Sequence, residues 1–404
     1  MVDFDWGQRA LTHARLIVSA YPGRGSATRA EALAADYVRH HLGSLEIRDL
    51  RFQPFTGSRS LWFFLSLAFG VAIMGHLAFG LMQPAVGRWP AWGLSLLLFG
   101  FSFYLLWRKY TFHNYPLQEF LPRGPSQNVI AVLPPGGAVK QRIVISAHLD
   151  SHRSVIWFAT DLLVSIYTLL FPLAIWGTLL APIFYALGIL SGLQVFGWFG
   201  IAIAFLQFII WFTGVTADLG VYSPGANDNA SGVGTLLAIA EHLYEQPLAQ
   251  TEIWCVFTGC AETGCDGMRA LLAEYHSELR QAVFINLELL GIGDRLVYLQ
   301  KEGVVRRRRI PRDLEKMLSG LTGSPIQPVS WGSNGAFSEM GAVWERGLPG
   351  FSLLTLRAGS NFLPEWHRMS DTSEKLSADA LQCAQSALWD ILRHLDQNQA
   401  GSGS

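Results

Sequence analysis

The stretch Ser-Ala-His148-Leu-Asp150-Ser decides how the rest of this chain is interpreted, because it ends an apolar, β-branched run typical of a buried strand. A second stretch, Pro224-Gly-Ala-Asn-Asp228-Asn-Ala-Ser-Gly, opens a segment with helical spacing of its apolar residues. Between them lies an almost uncharged apolar segment, residues 155–215. The combination predicts a metal site whose two halves are separated in sequence by a membrane excursion.

The composition is that of a membrane protein. Half of the 404 residues are apolar and the net charge is −1, so the chain lacks the basic field that nucleic-acid binding requires. Segments 60–82 and 90–107 are each long and apolar enough to cross a bilayer, and at roughly 20 residues per crossing segment 155–215 could hold two long spans or three short ones. Because His148 and Asp228 must lie on one side of the membrane to share a site, the number of crossings must be even. We therefore predict four transmembrane helices, arranged as two hairpins.

The distribution of basic residues predicts the orientation. The hairpin tips carry only Arg88, whereas five basic residues lie on the side of the predicted site: Arg51, Arg59, Arg108, Lys109 and Arg153. The positive-inside rule then predicts a multi-pass protein of the plasma (inner) membrane whose soluble domain, with the predicted site, faces the cytoplasm. Residues 1–41 carry charges throughout and are not expected to be a signal peptide.

Outside the apolar segments, predicted strands and helices alternate, which indicates an α/β fold: a three-layer αβα sandwich with a mostly parallel mixed sheet. The β-branched runs 128–133 and 142–147 flank Pro134-Pro-Gly-Gly137 and are predicted to form a strand pair. The expected division is one α/β domain in three pieces (1–58, 109–154 and 216–396), the hairpins 59–108 and 155–215, and an added tail, 397–404.

Five candidate metal ligands lie at predicted strand ends or in the loops after them: His148, Asp228, Glu262, Glu288 and His367. Histidine nitrogen and carboxylate oxygen suit zinc, and a carboxylate with two oxygens can bridge two metal ions. Asp150 is placed to accept the second ring hydrogen of His148 and to fix its orientation.

Taken in order, the motifs of this chain resemble the di-zinc metallopeptidase family that includes bacterial leucyl aminopeptidases, glutamate carboxypeptidase and the peptidase-like domain of the transferrin receptor. The matching pieces are Ala147-His148-Leu-Asp150-Ser, Ser223-Pro-Gly-Ala-Asn-Asp228-Asn-Ala-Ser-Gly, Ala261-Glu262-Thr-Gly-Cys-Asp-Gly267, Asn286-Leu-Glu288 and His367-Arg-Met-Ser-Asp371-Thr372. The resemblance implies amide hydrolysis by a zinc-activated water at two Zn²⁺ ions. It makes Asp228 the bridge, His148 and Glu288 the other ligands of one ion, and Glu262 and His367 those of the second.

The chain departs from the family pattern at two site positions. Glu288 stands where the family usually has Asp, and Ala261 stands where it has the glutamate that acts as general base. A methyl group cannot accept a proton, and general acid–base help is commonly worth about 10²–10⁴ in rate. The chain is therefore expected to bind metal but to turn over poorly, either because of an engineered replacement or as a natural pseudoenzyme.

The resulting expectation is a membrane-anchored zinc-dependent exopeptidase, with aminopeptidase activity as the first candidate. Its expected partners are a peptide or amide substrate and a lipid bilayer. Asn334, Phe337 and Trp366 are expected to line the substrate pocket. Two alternatives remain open: a glutaminyl-cyclase-like acyltransferase, and a non-catalytic membrane receptor or scaffold with a peptidase-like domain.

Overall fold

A computed structural model describes residues 5–321, 326–331 and 336–401, without the side chains of 398–401. In this part of the chain nine strands form one sheet: β1 (Asp49–Ser58), β2 (Arg123–Leu133), β3 (Gln141–His148), β4 (Thr251–Thr258), β5 (Val283–Leu287), β6 (Arg295–Glu302), β7 (Arg308–Arg309), β8 (Gln327–Ser330) and β9 (Gly350–Leu356). The helices are α1 (Trp6–Ala20), α2 (Arg29–Ser44), α3 (Leu61–Val86), α4 (Arg88–Tyr110), α5 (Asp161–Ser191), α6 (Val195–Ala217), α7 (Ser231–Glu245), α8 (Asp266–Glu274), α9 (His276–Leu279), α10 (Arg312–Gly320), α11 (Glu339–Glu345) and α12 (Ala378–Gly401).

The predicted α/β sandwich with a mixed sheet is confirmed. The strand order is β1-β2-β4-β3-β5-β9-β6-β7, with β8 paired to β6. The four central strands, β4, β3, β5 and β9, are parallel, and the pairs β1–β2, β2–β4, β6–β7 and β6–β9 are antiparallel. Helices α1, α7 and α12 pack together on one face, and α8 and α11 pack on the other. The central parallel strands are covered on both faces, which explains why β3 reads as a continuous apolar run.

The predicted pairing of runs 128–133 and 142–147 is wrong. These runs lie in β2 and β3, and β4 is inserted between them, antiparallel to β2 and parallel to β3. The physical reason lies in the connecting loop. The backbone N–H groups of Gly136, Gly137 and Lys140 donate to the carbonyls of Leu248 (2.8 Å), Ala249 (3.0 Å) and Gln250 (2.9 Å), and this segment leads directly into β4. The loop thus binds the incoming third strand instead of closing a hairpin.

Four helices, α3 to α6, are long and apolar enough to cross a membrane by length and composition. They pack as one bundle, since α3 contacts α4 and α6, and α5 contacts α4 and α6. His76 of α3 lies 2.5 Å from the Tyr185 hydroxyl of α5 (through Nδ1) and 3.0 Å from the Gln207 side-chain oxygen of α6 (through Nε2). His76 therefore links three helices of the bundle through hydrogen bonds.

Both pairs of apolar helices leave the α/β domain and return to it near the carboxyl ends of the parallel strands. Helix α3 begins three residues after β1, and α5 begins shortly after β3 ends at His148. Helix α6 ends at Ala217, a few residues before the turn that carries Asp228. The bundle therefore lies beside the same edge of the sheet that carries the predicted metal ligands.

Candidate metal centre

The five predicted ligands lie at strand ends or in loops at one edge of the sheet. His148 is the last residue of β3, and Glu288 directly follows β5. Glu262 lies in the turn after β4, His367 in the loop after β9, and Asp228 in the turn before α7. Because β3, β4, β5 and β9 are parallel, their carboxyl ends meet at this edge, where open α/β sheets place their ligands.

The two oxygens of Asp228 each face one imidazole. Oδ1 lies 3.5 Å from His148 Nε2, and Oδ2 lies 3.4 Å from His367 Nε2. His367 Nε2 also lies 3.3 Å from Glu262 Oε2. All four side chains are largely withdrawn from solvent. A carboxylate between two nitrogen donors has the arrangement of a ligand that bridges two metal ions.

Glu288 lines the same pocket, but it is not among the described residues whose ligand atoms lie within 4.8 Å of one another. Its Oε1 accepts a hydrogen bond of 2.6 Å from the Asn286 amide, and within the described ranges no ion pair joins it to a histidine. Burial raises the pKa of Glu288 and of Glu262 to about 8. A divalent cation would oppose both shifts by favouring the charged carboxylates.

Asp150 contacts His148 and the segment that carries Glu262. Its carboxylate accepts hydrogen bonds from the Ser26 hydroxyl (2.6 Å) and from the backbone N–H groups of Ala261 (3.1 Å) and Glu262 (3.0 Å). His148 Nδ1 lies 3.4 Å from Asp150 Oδ1 and 3.0 Å from the Asp150 carbonyl oxygen. Since both oxygens only accept, Nδ1 carries a hydrogen and Nε2 is directed at Asp228. Asp150 therefore orients His148 and Glu262 together.

A second buried carboxylate fixes the turn that presents Asp228. Asp371 accepts hydrogen bonds from the backbone N–H groups of Asn227 (2.7 Å) and Asp228 (3.1 Å), and the peptide bond between Asp228 and Asn229 is cis. The fully buried Arg24 donates to the carbonyls of Pro224 and Gly225 in the same turn. Sequence reasoning did not find Arg24, which lies in a Gly-rich stretch without any recognised motif.

Burial and neighbouring carboxylates act in opposite directions on the two ligand histidines. Burial lowers the pKa of His148, but Asp150 and Asp228 outweigh it and hold this pKa well above its usual range. Burial lowers the pKa of His367 to about 3, despite the nearby Asp228. Zinc needs the unprotonated nitrogen, so metal binding at His148 would compete with a proton.

Ala261 lies next to Glu262 in the wall of the pocket. Its side chain is a buried methyl group, and its backbone N–H is held by Asp150. The position expected to carry a general base therefore lies at the cluster and carries no titratable group.

His152 joins the cluster although sequence reasoning missed it. Its ring stacks on His367 with a centroid distance of 3.8 Å and an angle of 10°. Its Nδ1 lies 2.7 Å from the Arg153 carbonyl oxygen, which leaves Nε2 with its lone pair. His152, Glu262 and His367 bring ligand atoms within 4.8 Å of one another. Its place two residues after Asp150 was the available signal.

Glu339, the first residue of α11, is the second residue that sequence reasoning missed. It is buried and lines the pocket beside Glu288. Burial raises the pKa of Glu339, and the hydroxyls of Thr258 and Ser146 oppose the rise. Of the three expected pocket residues, Phe337 and Trp366 line this pocket, and Asn334 lies outside the described residues.

The donor set fits zinc. Three imidazoles and several carboxylate oxygens converge, and among the described residues Glu262 Oε1 and His367 Nδ1 are buried without a hydrogen-bond partner. A different group, His13, His41 and Glu241, also brings donor atoms together. There both imidazoles and Arg9 already contact the Glu241 carboxylate, so its charge is compensated by the protein.

Comparison with known proteins agrees with this geometry. Residues 213–392 match the sequence model of Peptidase family M28. Among curated protein sequences, none matches this chain.

Solved structures of similar fold cover nearly the whole chain. A zinc aminopeptidase from Bacillus subtilis is 14% identical, with a TM-score of 0.55 over 96% of this chain and 95% of its own. A Zn-dependent exopeptidase from Parabacteroides distasonis is 13% identical, with a TM-score of 0.55 over 96% and 97%. A glutaminyl cyclase from an Acidobacteriales bacterium is 15% identical, with a TM-score of 0.55 over 98% and 96%. Residues 213–392, less than half of the chain, thus resemble Peptidase family M28, and the chain shares the fold of these solved structures.

Proposed function

We propose that this chain is an M28-type, membrane-anchored, zinc-dependent exopeptidase that hydrolyses peptide or related amide bonds. Aminopeptidase activity is the first candidate. The observation that carries the proposal is the convergence of His148 and His367 on the two oxygens of Asp228, with Glu262 beside them. These residues are separated by more than half of the chain and by a pair of apolar helices, and their convergence has no evident role in packing.

In this proposal His148, Asp228 and Glu288 would hold one zinc ion, and Asp228, Glu262 and His367 would hold a second. Bound zinc supplies Lewis acidity, which polarises an amide carbonyl and lowers the pKa of water. The chain provides the orientation. Asp150 fixes His148, and the same carboxylate holds the backbone of Glu262.

The proposal includes slow turnover by the chain as it stands. Ala261 offers no atom that can accept a proton, and none of the contacts at this position replaces one. Whether Ala261 is an engineered replacement or a natural one, the expected consequence is the same: metal and substrate bind, while proton transfer lacks its base.

The proposal also places α3 to α6 in the plasma (inner) membrane as two hairpins, with the α/β domain in the cytoplasm. Their lengths and composition support spanning. Both hairpins begin and end beside the α/β domain, as an even number of crossings requires. The excess of basic residues at this end, against Arg88 at the tips, supports the orientation.

Metal analysis and peptide profiling test the proposal. Elemental analysis of the purified protein is expected to give two zinc ions per chain. In a peptide library read by mass spectrometry, Ala261→Glu is expected to raise turnover by about 10²–10⁴-fold. In the matched control Ala261→Gln, the glutamine side chain has nearly the same shape as glutamate but cannot act as a base. Its turnover should stay near that of the unmodified protein. Absence of zinc, or no turnover by Ala261→Glu on any peptide, would contradict the enzyme and favour a receptor or scaffold.

A glutaminyl-cyclase-like acyltransferase is the second candidate. It is favoured by the glutaminyl cyclase fold match, whose TM-score equals that of the zinc aminopeptidase. Release of pyroglutamyl peptides from amino-terminal glutamine by Ala261→Glu, without free amino acids, would select the cyclase.

A further inference from the structure

The pocket above the metal ligands is walled in part by the two apolar helix pairs. Leu61 and Trp62, the first two residues of α3, line it, and so does Tyr167 of α5. The Trp62 ring lies 6.4 Å from the Tyr167 ring and 5.8 Å from that of His152. The cluster thus faces the ends of the apolar helices themselves.

Phe158 joins the metal cluster to this wall. Its ring is buried and lies 4.6 Å from His367, 4.9 Å from Trp366 and 5.7 Å from Tyr167. A continuous aromatic surface therefore runs from a candidate zinc ligand to α5. Aromatic side chains with one apolar and one polar end are typical of the membrane interface.

The walls of the pocket suit an apolar substrate. Among the described residues that line it, none is lysine or arginine. Away from the proposed metal ions a free carboxylate would meet neither lysine nor arginine among these residues, whereas an alkyl chain would meet Leu61 and the aromatic wall.

Exposed apolar residues surround this end of the domain. Ile156 and Leu162 flank the start of α5, and Leu219 and Val221 follow α6, and each is at least 61% exposed. The two loops lie side by side, because the Ser154 N–H donates to the Val221 carbonyl over 3.0 Å. Large apolar side chains exposed together at a domain edge indicate contact with a membrane or a protein. Their position at the ends of membrane-length helices favours lipid.

The metal-ligand loop is fastened to this edge. Arg368, next to His367, donates to the Phe158 carbonyl (2.8 Å) and pairs with the Asp161 carboxylate at the start of α5. Trp157 Nε1 donates to the Thr213 hydroxyl of α6 over 3.0 Å. These contacts fix the mouth of the pocket at the level where the apolar helices begin.

From this geometry we propose that the substrate is a lipid-anchored amide, whose alkyl chain stays in the bilayer while its amide bond reaches the metal cluster. This inference rests on the proposed function and names its substrate class. Hydrolysis consumes one water molecule. The C–N bond breaks, a C–O bond forms, and one proton passes to the leaving nitrogen. The products are a carboxylic acid and an amine, so no further reactant is needed.

The test compares three substrates that carry the same aminoacyl amide, with Ala261→Glu protein reconstituted in phosphatidylcholine vesicles. One substrate is a short soluble amide, one is attached directly to a two-chain lipid, and one is attached to that lipid through a long hydrophilic spacer. If the pocket opens at the level of the bilayer, the directly attached amide should be cleaved at least as fast as the spaced one. Cleavage of the spaced and soluble amides alone would overturn the inference and leave the proposed function standing.

Variants at the exposed edge sharpen the comparison. In Ile156→Asp and Leu219→Asp the added charge should hold the mouth away from lipid, so the rate ratio of lipid-attached to soluble amide should fall about tenfold, equivalent to about 1.4 kcal/mol. The matched control is Val139→Asp, at an exposed apolar position in the loop between β2 and β3, and it should leave the ratio unchanged. An equal fall in all three variants, or in none, would contradict the inference.

A second readout does not require turnover. A photoreactive two-chain lipid with a hydroxamate headgroup, which chelates zinc, should crosslink the unmodified protein at α3 or α5, and soluble acetohydroxamate should suppress the crosslink. If no zinc binds and no amide is cleaved, the proposed function itself fails. If zinc binds and the crosslink is absent or resists competition, the inference alone fails.

Discussion

Replacing Asp150 with asparagine is expected to weaken zinc binding by about 10–100-fold, the usual effect of removing a carboxylate that orients metal ligands. Asp150 accepts three hydrogen bonds through its two oxygens, from Ser26, Ala261 and Glu262. Asparagine keeps one oxygen and turns an NH₂ group toward at least one N–H donor. It also removes the charge that favours the Nδ1–H form of His148.

The magnitude follows from these contacts. A 10–100-fold loss corresponds to about 1.4–2.7 kcal/mol. Loss of one buried hydrogen bond to a charged group is worth about 1.5–3 kcal/mol, so a single broken contact accounts for the expected effect. Ser26→Ala is the matched control, because it removes the hydroxyl and leaves the carboxylate and both backbone contacts in place. Its loss of affinity should be clearly smaller.

Zinc affinity is measured by competition with a chromophoric chelator, on protein whose melting temperature shows that the fold is retained. The expected order of affinity is unmodified protein, then Ser26→Ala, then Asp150→Asn. If Asp150→Asn binds zinc within about twofold of the unmodified protein, below the 10-fold minimum expected for an orienting carboxylate, the proposed role of Asp150 is wrong.

Three further predictions concern stability. Burial raises the pKa of Glu302 to about 8, so the folded state keeps a proton that the unfolded state releases, and stability should fall as pH rises from about 4.5 to 8. Glu302→Gln should reduce this slope in thermal melting between pH 5 and 8.5, and an unchanged slope would contradict the prediction. Gly225→Ala should destabilise the protein by about 1–3 kcal/mol, because φ is +67° and a Cβ would lie within 2.8 Å of neighbouring atoms; an unchanged melting temperature would refute this. His76→Phe removes the contacts with Tyr185 and Gln207 inside the helix bundle and should cost about 0.6–2 kcal/mol in detergent-induced unfolding, whereas equal stability would show that this network is dispensable.

The motifs predicted the edge of the sheet correctly because they are local. A strand that ends in His148, or a turn that opens α7 at Asp228, carries its own signal, and parallel strands bring such ends together without further information. The four apolar helices were also predictable from the sequence. Helix α3, however, continues through Pro84 to Val86, beyond the predicted end of its segment. Length and composition decide the existence of such helices, and local capping decides where they end.

Strand neighbours were not predictable in the same way. The turn signal at Pro134 predicts that the chain bends there, but it does not identify the strand that pairs with β2. That strand is β4, which lies more than a hundred residues further along the chain. His152 was missed for a related reason: a single histidine after a motif carries no weight until its ring is seen stacked on His367. Glu339 likewise becomes informative only when α11 brings it beside Glu288.

The position of α5 and α6 between His148 and Asp228 has a consequence for biosynthesis. A ribosome completes β3 first, then the two apolar helices, and only afterwards the turn that carries Asp228. In the proposed membrane arrangement, α5 and α6 must cross and return before Asp228 can reach His148, so the metal cluster would assemble after both helices have inserted. Membrane delivery would in this way act as a checkpoint on the assembly of a hydrolase.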